Sequence, residues 1–176
     1  MKTKILLLTG LILFTFGCKK LHELTQFDMD YDTSITIPKA TGINSPINIP
    51  TPDITTDSES SFENNNTNKD LIEKIVLKSM QMTIGSPKGE DFSFLKSIEI
   101  QISADSLPDI KIAWKDNIPD SDTTFALETS DADLKDYLTK DKYKLKVKTT
   151  TDEILMQDHV IDIHSVFFVD AKILGF

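Results

Sequence analysis

Alternation of apolar and polar residues constrains the fold of this 176-residue chain more than any other feature. From Phe27 to Ile37, apolar side chains, with Thr33 among them, recur at every second position, and Asp, Ser or Thr fill the positions between. The same period recurs from Ile98 to Ala104, from Ile110 to Lys115 and from Ile161 to Ile173. Successive side chains of a β-strand point to opposite faces, so this period predicts half-buried strands.

Shorter segments bring the total to about seven to nine strands with turn signals between them. They cover Thr55–Phe62, Ile75 through Ile84 (Met80, Met82 and Ile84 on one face), Thr124–Glu128 (Phe125 and Leu127 inward), and the segment through Tyr143, Leu145 and Val147. The runs before and after Asp105–Asp109 are separated by a five-residue, proline-containing turn. This spacing predicts a hairpin.

Two short helices are also predicted. Thr67 to Asp70 fits a capping box ahead of about two turns through Leu71 and Ile72. Ser130 or Asp131 is the expected cap of a second helix, which carries Leu134, Tyr137 and Leu138 at helical spacing. Since helices do not alternate with strands, a parallel βαβ fold is disfavoured. The fold expected is all-β: an immunoglobulin-like antiparallel β-sandwich with one or two short helices.

The stretch from Pro38 to Ser60 is the least regular. It holds four prolines, which cannot donate to a strand ladder and so exclude a central strand there. Isoleucines still recur within it, at positions 43, 47, 49 and 54. This composition indicates a loop that covers a sheet edge and contains one short strand.

The first residues have the layout of a bacterial secretion signal. Lys2 and Lys4 precede an almost wholly apolar run from Ile5 to Phe16, and Gly17 and Cys18 follow it. A run of 12 residues is short of the roughly 20 needed to cross a bilayer and falls within the ~7–15 typical of a cleaved signal. Cys18 is the only cysteine in the chain.

The small residue directly before Cys18 resembles the lipobox of bacterial lipoprotein precursors. That resemblance implies that Cys18 is lipid-modified and becomes the mature N-terminus. An ordinary signal peptide with an incidental cysteine is the alternative, but a lone thiol would be an odd leftover in an oxidising compartment. The whole arrangement is similar to small envelope lipoproteins of Bacteroidota type, a resemblance that carries no known activity. It implies a location in the cell envelope, at the outer membrane.

The domain organisation follows from these features. Residues 1–17 are the expected signal peptide, 18–26 the lipidated cysteine and its tether, and 27–176 a single β-sandwich domain. The chain has 28 acidic residues and 19 Lys or Arg. Removal of the signal takes away Lys2 and Lys4 and leaves 17 basic residues, so the net charge of the mature chain is −11. Phosphate backbones repel such a surface, so nucleic-acid binding is disfavoured, and attachment to a membrane must come from acyl chains.

Two sequence features suggest a metal or acid–base site. Asp28, Asp30 and Asp32 resemble the start of a calcium-binding loop, but Thr33 and Lys39 stand where an EF-hand needs Gly and Glu. Asp162 and His164 share a strand face, whereas His159 lies on the other. A zinc site needs three or four ligands. A solvated strand face and a surface pair are therefore expected, with no metal and no cofactor.

Two groups of residues form the expected interaction surface. Lys142, Lys144, Lys146 and Lys148 make a stripe that could bind an anionic polymer, or could protect an exposed strand from edge pairing. Val166 and Phe168 lie on the less apolar face of the last strand and form a candidate contact patch, unless a packed layer or a short helix covers them.

Trp114 could be a platform on which a sugar stacks. Because the alternation places it on one face with Ile110 and Ile112, it is expected in the core.

No catalytic motif is present: the chain lacks a nucleophile elbow, a phosphate-binding loop and a zinc-protease motif. We therefore expect no enzyme. The expected function is a monomeric, non-catalytic structural or interaction module that meets an unknown envelope protein or glycan. The alternative is a lipoprotein that binds a glycan, a lipid or a calcium ion. A concave site with inward polar groups would distinguish the two.

Overall fold

The computed structural model describes residues 25–39, 42–44 and 46–172. The signal segment, Cys18 and Ile173 lie outside the described residues. In chain order the elements are β1 (Gln26–Ile37), β2 (Ile47–Pro50), β3 (Ile54–Thr55), α1 (Ser58–Asn64), a 3-10 turn (Lys69–Leu71), β4 (Ile72–Ser86), β5 (Leu95–Ser103), β6 (Ile110–Asp116), β7 (Thr124–Ala126), β8 (Glu128–Thr129), α2 (Lys135–Leu138), β9 (Lys142–Thr151) and β10 (His159–Ala171).

The strands form two antiparallel sheets, which confirms the all-β sandwich with two short helices. One sheet has four strands in the order β1-β10-β4-β7. The other has six, in the order β2-β9-β5-β6-β8, with β3 also paired to β9. The predicted hairpin is present as β5 and β6.

The alternating apolar residues face each other between the sheets, as the sequence predicts. On β10, Ile161, Ile163, Phe167, Val169 and Ala171 are all buried. Tyr143, Leu145 and Val147 of β9 lie opposite them in the same core. Edge-on aromatic contacts join the sheets, because the Tyr143 ring of β9 lies 5.7 Å from that of Tyr31 and 6.1 Å from that of Phe167.

One strand prediction and both helix predictions need correction. The segment expected as a strand, Thr55–Phe62, is strand only through β3 and then becomes α1, which buries Phe62. The helix expected through Leu71 and Ile72 is a single 3-10 turn capped by the Asn68 side chain, because Ile72 already begins β4. At the start of α2, the Lys135 N–H donates a hydrogen bond to the Asp133 carboxylate at 3.0 Å, and not to Ser130 or Asp131.

The strand expected over Thr124–Glu128 is divided between the two sheets. Phe125 belongs to β7 on the four-stranded sheet, and Glu128 belongs to β8 on the six-stranded sheet. Leu127 lies between them, and its N–H donates to the Met80 carbonyl at 2.9 Å. Both Phe125 and Leu127 are buried, as predicted.

The proline-rich segment covers a sheet edge, as its composition indicates. Its strands β2 and β3 both pair with β9. Pro50 ends β2, a position at which its missing N–H is tolerated. As a result β9 lies inside the sheet, between β5 on one side and these two short strands on the other.

The sandwich has two distinct ends, defined by the strand directions. At the proximal end β1 begins and β10 finishes, since Gln26 pairs with Asp170. At the distal end Ile37 pairs with His159, and the connections 87–94, 117–123 and 152–158 lie there together with residues 42–44. The 12 residues of β1 separate the two ends by about 40 Å at ~3.3 Å per residue.

Candidate functional site

The residues expected to form one interaction surface lie on opposite outer faces of the sandwich. Val166 and Phe168 are on β10, in the four-stranded sheet. The four lysines from Lys142 to Lys148 are on β9, in the six-stranded sheet. The core separates these faces, so the two groups cannot contact a small ligand together.

Val166 and Phe168 are half-buried on the outer face of their sheet. Their cross-strand neighbours on β1 are Asp30 and Asp28, respectively. On β4, Phe168 faces Val76 and Val166 faces Ser79. The apolar area is therefore small and lies directly beside carboxylates.

Three of the four lysines of the stripe form ion pairs on the outer face. Lys142 and Lys144 contact the two carboxylate oxygens of Asp53 at 2.6 and 3.1 Å, and Lys146 contacts Asp109 at 2.5 Å. The hydrogen bond from Lys142, followed by that from Lys144, lowers the pKa of Asp53. The hydrogen bond to Asp53 in turn raises the pKa of Lys142.

The interpretation of this stripe as protection of a strand edge is wrong, because β9 is an internal strand. Its lysines instead fasten two connections to the sheet. Asp53 lies between β2 and β3, and Asp109 lies in the turn between β5 and β6. Exposed pairs of this kind contribute little stability individually, so their main effect is on the local position of these connections.

Trp114 is not a core residue. Ile100 pairs with Ala113, but the next residue, Gln101, pairs with Lys111, which leaves Ile112 as an extra residue in β6. This bulge buries both Ile112 and Ala113. A bulge of one residue reverses the facing of the residues after it, and Trp114 therefore lies half-buried on the outer face opposite Glu99.

Polar side chains surround the Trp114 ring. The Lys111 ammonium lies over the ring, 4.6 Å from its centroid, and 4.0 Å from a Glu99 carboxylate oxygen. Gln101 donates to the other Glu99 oxygen at 3.0 Å. Lys148 and Glu128 flank the row on neighbouring strands. An aromatic ring beside amide and carboxylate groups offers apolar area and hydrogen bonds to hydroxyl-rich ligands.

The acidic residues of β1 pair with their neighbours in the sheet. An Asp32 carboxylate oxygen lies 2.8 Å from His164 Nδ1, within hydrogen-bond distance, and Asp28 binds the Lys78 ammonium. Asp30 lies 4.0 Å from the other His164 nitrogen. Because β1 is extended, the Cα atoms of successive outward aspartates are about 6–7 Å apart along a straight strand, which does not wrap them around one cation as a loop does.

His164 and Asp162 line a shallow cleft of about 520 Å³ together with Asp32, Ser34 and Thr83. Chemically, Asp32 could orient the imidazole as a base. Within the described ranges, however, no hydroxyl group is hydrogen-bonded to His164, and no group of three or more His, Asp or Glu is placed to hold a metal ion.

The distal end was not predicted from the sequence as a candidate surface. The large apolar residues that are exposed in the described part of the chain are Ile43, Ile154 and Met156, and all of them lie there. Ile154 and Met156 belong to the connection between β9 and β10, and Ile43 bridges to Thr151 at the end of β9. The sequence signal was an apolar triplet, Ile154–Met156, between acidic residues in a connection.

Comparison with known proteins adds no functional assignment. No protein-family model and no curated protein matches the chain. Among solved structures, the chain is similar to one named Desmodium yellow mottle tymovirus, with 11% identity, 86% of this chain and 91% of that chain covered, and a TM-score of 0.29. Similarity at this level carries no argument about function. Among the described residues, no helix is both long and apolar enough to cross a membrane.

Proposed function

We propose that the chain is a lipid-anchored protein of the bacterial cell envelope, held at the outer membrane through acyl chains on Cys18, and that it acts as a non-catalytic structural or interaction module. The supporting observation is where the tether joins the fold. β1 begins at Gln26, eight residues after Cys18, at the proximal end of the sandwich. An anchor attached there leaves both outer faces and the distal end available to other envelope components.

Substitution of the acyl acceptor tests the anchor. Cys18→Ser should abolish incorporation of labelled fatty acid and move the protein from the membrane fraction to the soluble fraction, because one thioether-linked lipid site carries all of the attachment. Thr15→Ser, a change of similar size inside the signal, serves as the matched control and should leave both readouts unchanged. Equal membrane retention of the Cys18→Ser chain would refute the proposed anchor.

A second candidate function is glycan binding on the outer face of the six-stranded sheet. Its support is the position of Trp114, which a bulge turns out of the core and which Glu99, Gln101 and Lys111 surround. Aromatic rings at binding sites supply a large rigid area, and the neighbouring polar groups can bond to hydroxyls.

Calorimetry with peptidoglycan and lipopolysaccharide oligosaccharides tests this face. We expect Trp114→Ala to weaken binding by about tenfold or more, because truncated aromatic residues at binding sites typically cost ~1–2 kcal/mol or more. Phe168→Ala is the matched control: it truncates a half-buried aromatic residue on the outer face of the other sheet and should leave binding unchanged. Unchanged affinity in the Trp114→Ala protein, with an unaltered circular dichroism spectrum, would exclude this face as the glycan site.

A further inference from the structure

We infer that the distal end is a docking site for a protein partner whose surface combines an apolar cleft with a border of lysine and arginine. The inference rests on the proposed function and specifies the surface and the partner. Ile43, Ile154 and Met156 are 44%, 60% and 87% exposed, in a domain whose other large apolar side chains, within the described residues, are buried or half-buried. Grouping at one end is what distinguishes a contact patch from scattered surface residues.

The connection that carries Ile154 and Met156 is held in place by the core. Leu155, between them, is only 5% exposed, so its two neighbours are turned outward. The Asp152 N–H donates to the Phe94 carbonyl at 3.1 Å at one end of the connection. At the other end the Asp158 carboxylate accepts from the Lys39 N–H at 2.8 Å. The two apolar side chains are thus presented on a fixed backbone, which lowers the ordering cost of binding.

The buried His159 supports the same connection from the side of the core. His159 is buried against the Phe94 ring, and its Nδ1 lies 3.1 Å from the Gln157 carbonyl. The Gln157 side chain donates to Glu90 at 3.2 Å, which joins this connection to the one between β4 and β5. Two neighbouring connections therefore form one continuous surface around Met156.

The charge of the distal end identifies the chemistry of the partner. The connections 87–94, 117–123 and 152–158 carry seven acidic residues and one lysine, namely Glu90, Asp91, Asp120, Asp122, Asp152, Glu153, Asp158 and Lys88. Lys39, whose N–H donates to Asp158, and Lys96, whose ammonium donates to Asn44 at 3.0 Å, lie at the same end, so the acidic excess there is four. Complementary potentials steer association and exclude surfaces of like charge. An apolar patch with an acidic border therefore favours a partner with an apolar centre and a basic border.

The same charges and the position of the patch disfavour two other occupants. A second copy of this chain would bring two acidic ends together. The anchoring bilayer is at the proximal end, about 40 Å away along β1 at ~3.3 Å per residue, and anionic headgroups repel carboxylates. A protein held opposite the membrane meets this end at high effective concentration, so even a small apolar patch can sustain capture.

Photo-crosslinking in cells tests the site on the full anchored chain. A benzophenone amino acid is placed at position 156, and a matched control carries it at position 63, an exposed residue of α1. We expect one protein adduct at position 156 and none of that size at 63, with the crosslinked partner peptide lying beside lysine or arginine residues.

Two substitutions then establish whether the adduct reports the proposed surface. Ile154→Asp should lower its yield by about tenfold or more, because it removes a buried isoleucine from the contact and places a charge there instead. Glu153→Lys, which reverses one border charge, should also lower it. An adduct that withstands both changes, or a partner site without basic residues, would overturn the inference.

The remaining outcomes are equally decisive. Adducts with lipid, or binding of the Cys18→Ser chain to vesicles of phosphatidylethanolamine and phosphatidylglycerol that Ile154→Asp abolishes, would assign the patch to a membrane instead. Adducts between two copies would assign it to self-association.

If Cys18 carries lipid but position 156 gives no adduct, this inference fails alone. If Cys18 carries no lipid, the proposed anchor fails whatever position 156 reports.

Discussion

Phe167→Ala should lower the free energy of unfolding by about 3–5 kcal/mol, the range seen when a buried phenylalanine is truncated. Phe167 is fully buried on β10, a strand with neighbours on both sides. Its ring packs edge-on against Tyr31 of its own sheet and Tyr143 of the other. The substitution thus removes buried area and opens a cavity at the contact between the sheets.

The adjacent residue provides the control. Phe168→Ala removes the same atoms from the same strand but from its outer face, where the side chain is half-buried. We expect a loss of about 1 kcal/mol or less, in the ordinary range for substitutions outside the core. Urea denaturation of the purified mature chain, followed by circular dichroism, measures both. Equal losses for the two variants would contradict the assignment of the inner and outer faces of β10.

The strands could be predicted because alternation has a direct physical cause. A sheet with one face on the core and one in water favours apolar residues at every second position, and β1 and β10 follow this pattern at all inward positions except Thr33, His159 and Ser165. The helix α1 could not be predicted, for the opposite reason. Its seven residues bury only Ser58 and Phe62, which is too few to display a helical period.

Trp114 shows that the period of the sequence does not always predict which face of the sheet a residue occupies. The bulge at Ile112 is fixed by pairing with β5, and the sequence of β6 alone does not reveal it. The ion-pair partners of the lysine stripe could not be predicted from the sequence either. Its carboxylates, Asp53 and Asp109, come from segments 56 residues apart in sequence, so only the assembled sheet brings them to one strand. Candidate surfaces therefore depended on tertiary structure far more than the fold class did.

Leu155→Ala should lower the free energy of unfolding by about 2–4 kcal/mol, because it empties a buried site of its isobutyl group. The same change should loosen the connection between β9 and β10, since Leu155 is its buried residue. Amide hydrogen exchange of residues 152–158 should accelerate beyond what the global loss of stability explains, because this connection would open locally.

Met156→Ala is the matched comparison, one residue away and 87% exposed. It should change stability by no more than about 0.5 kcal/mol, as surface substitutions usually do. If the distal end is a docking site, crosslinking from position 154 should fall in both variants. The free energy of unfolding should fall only in the Leu155→Ala protein. A Met156→Ala protein as unstable as Leu155→Ala would mean that this side chain supports the fold, and the exposed apolar residues of the distal end would then need no partner to account for them.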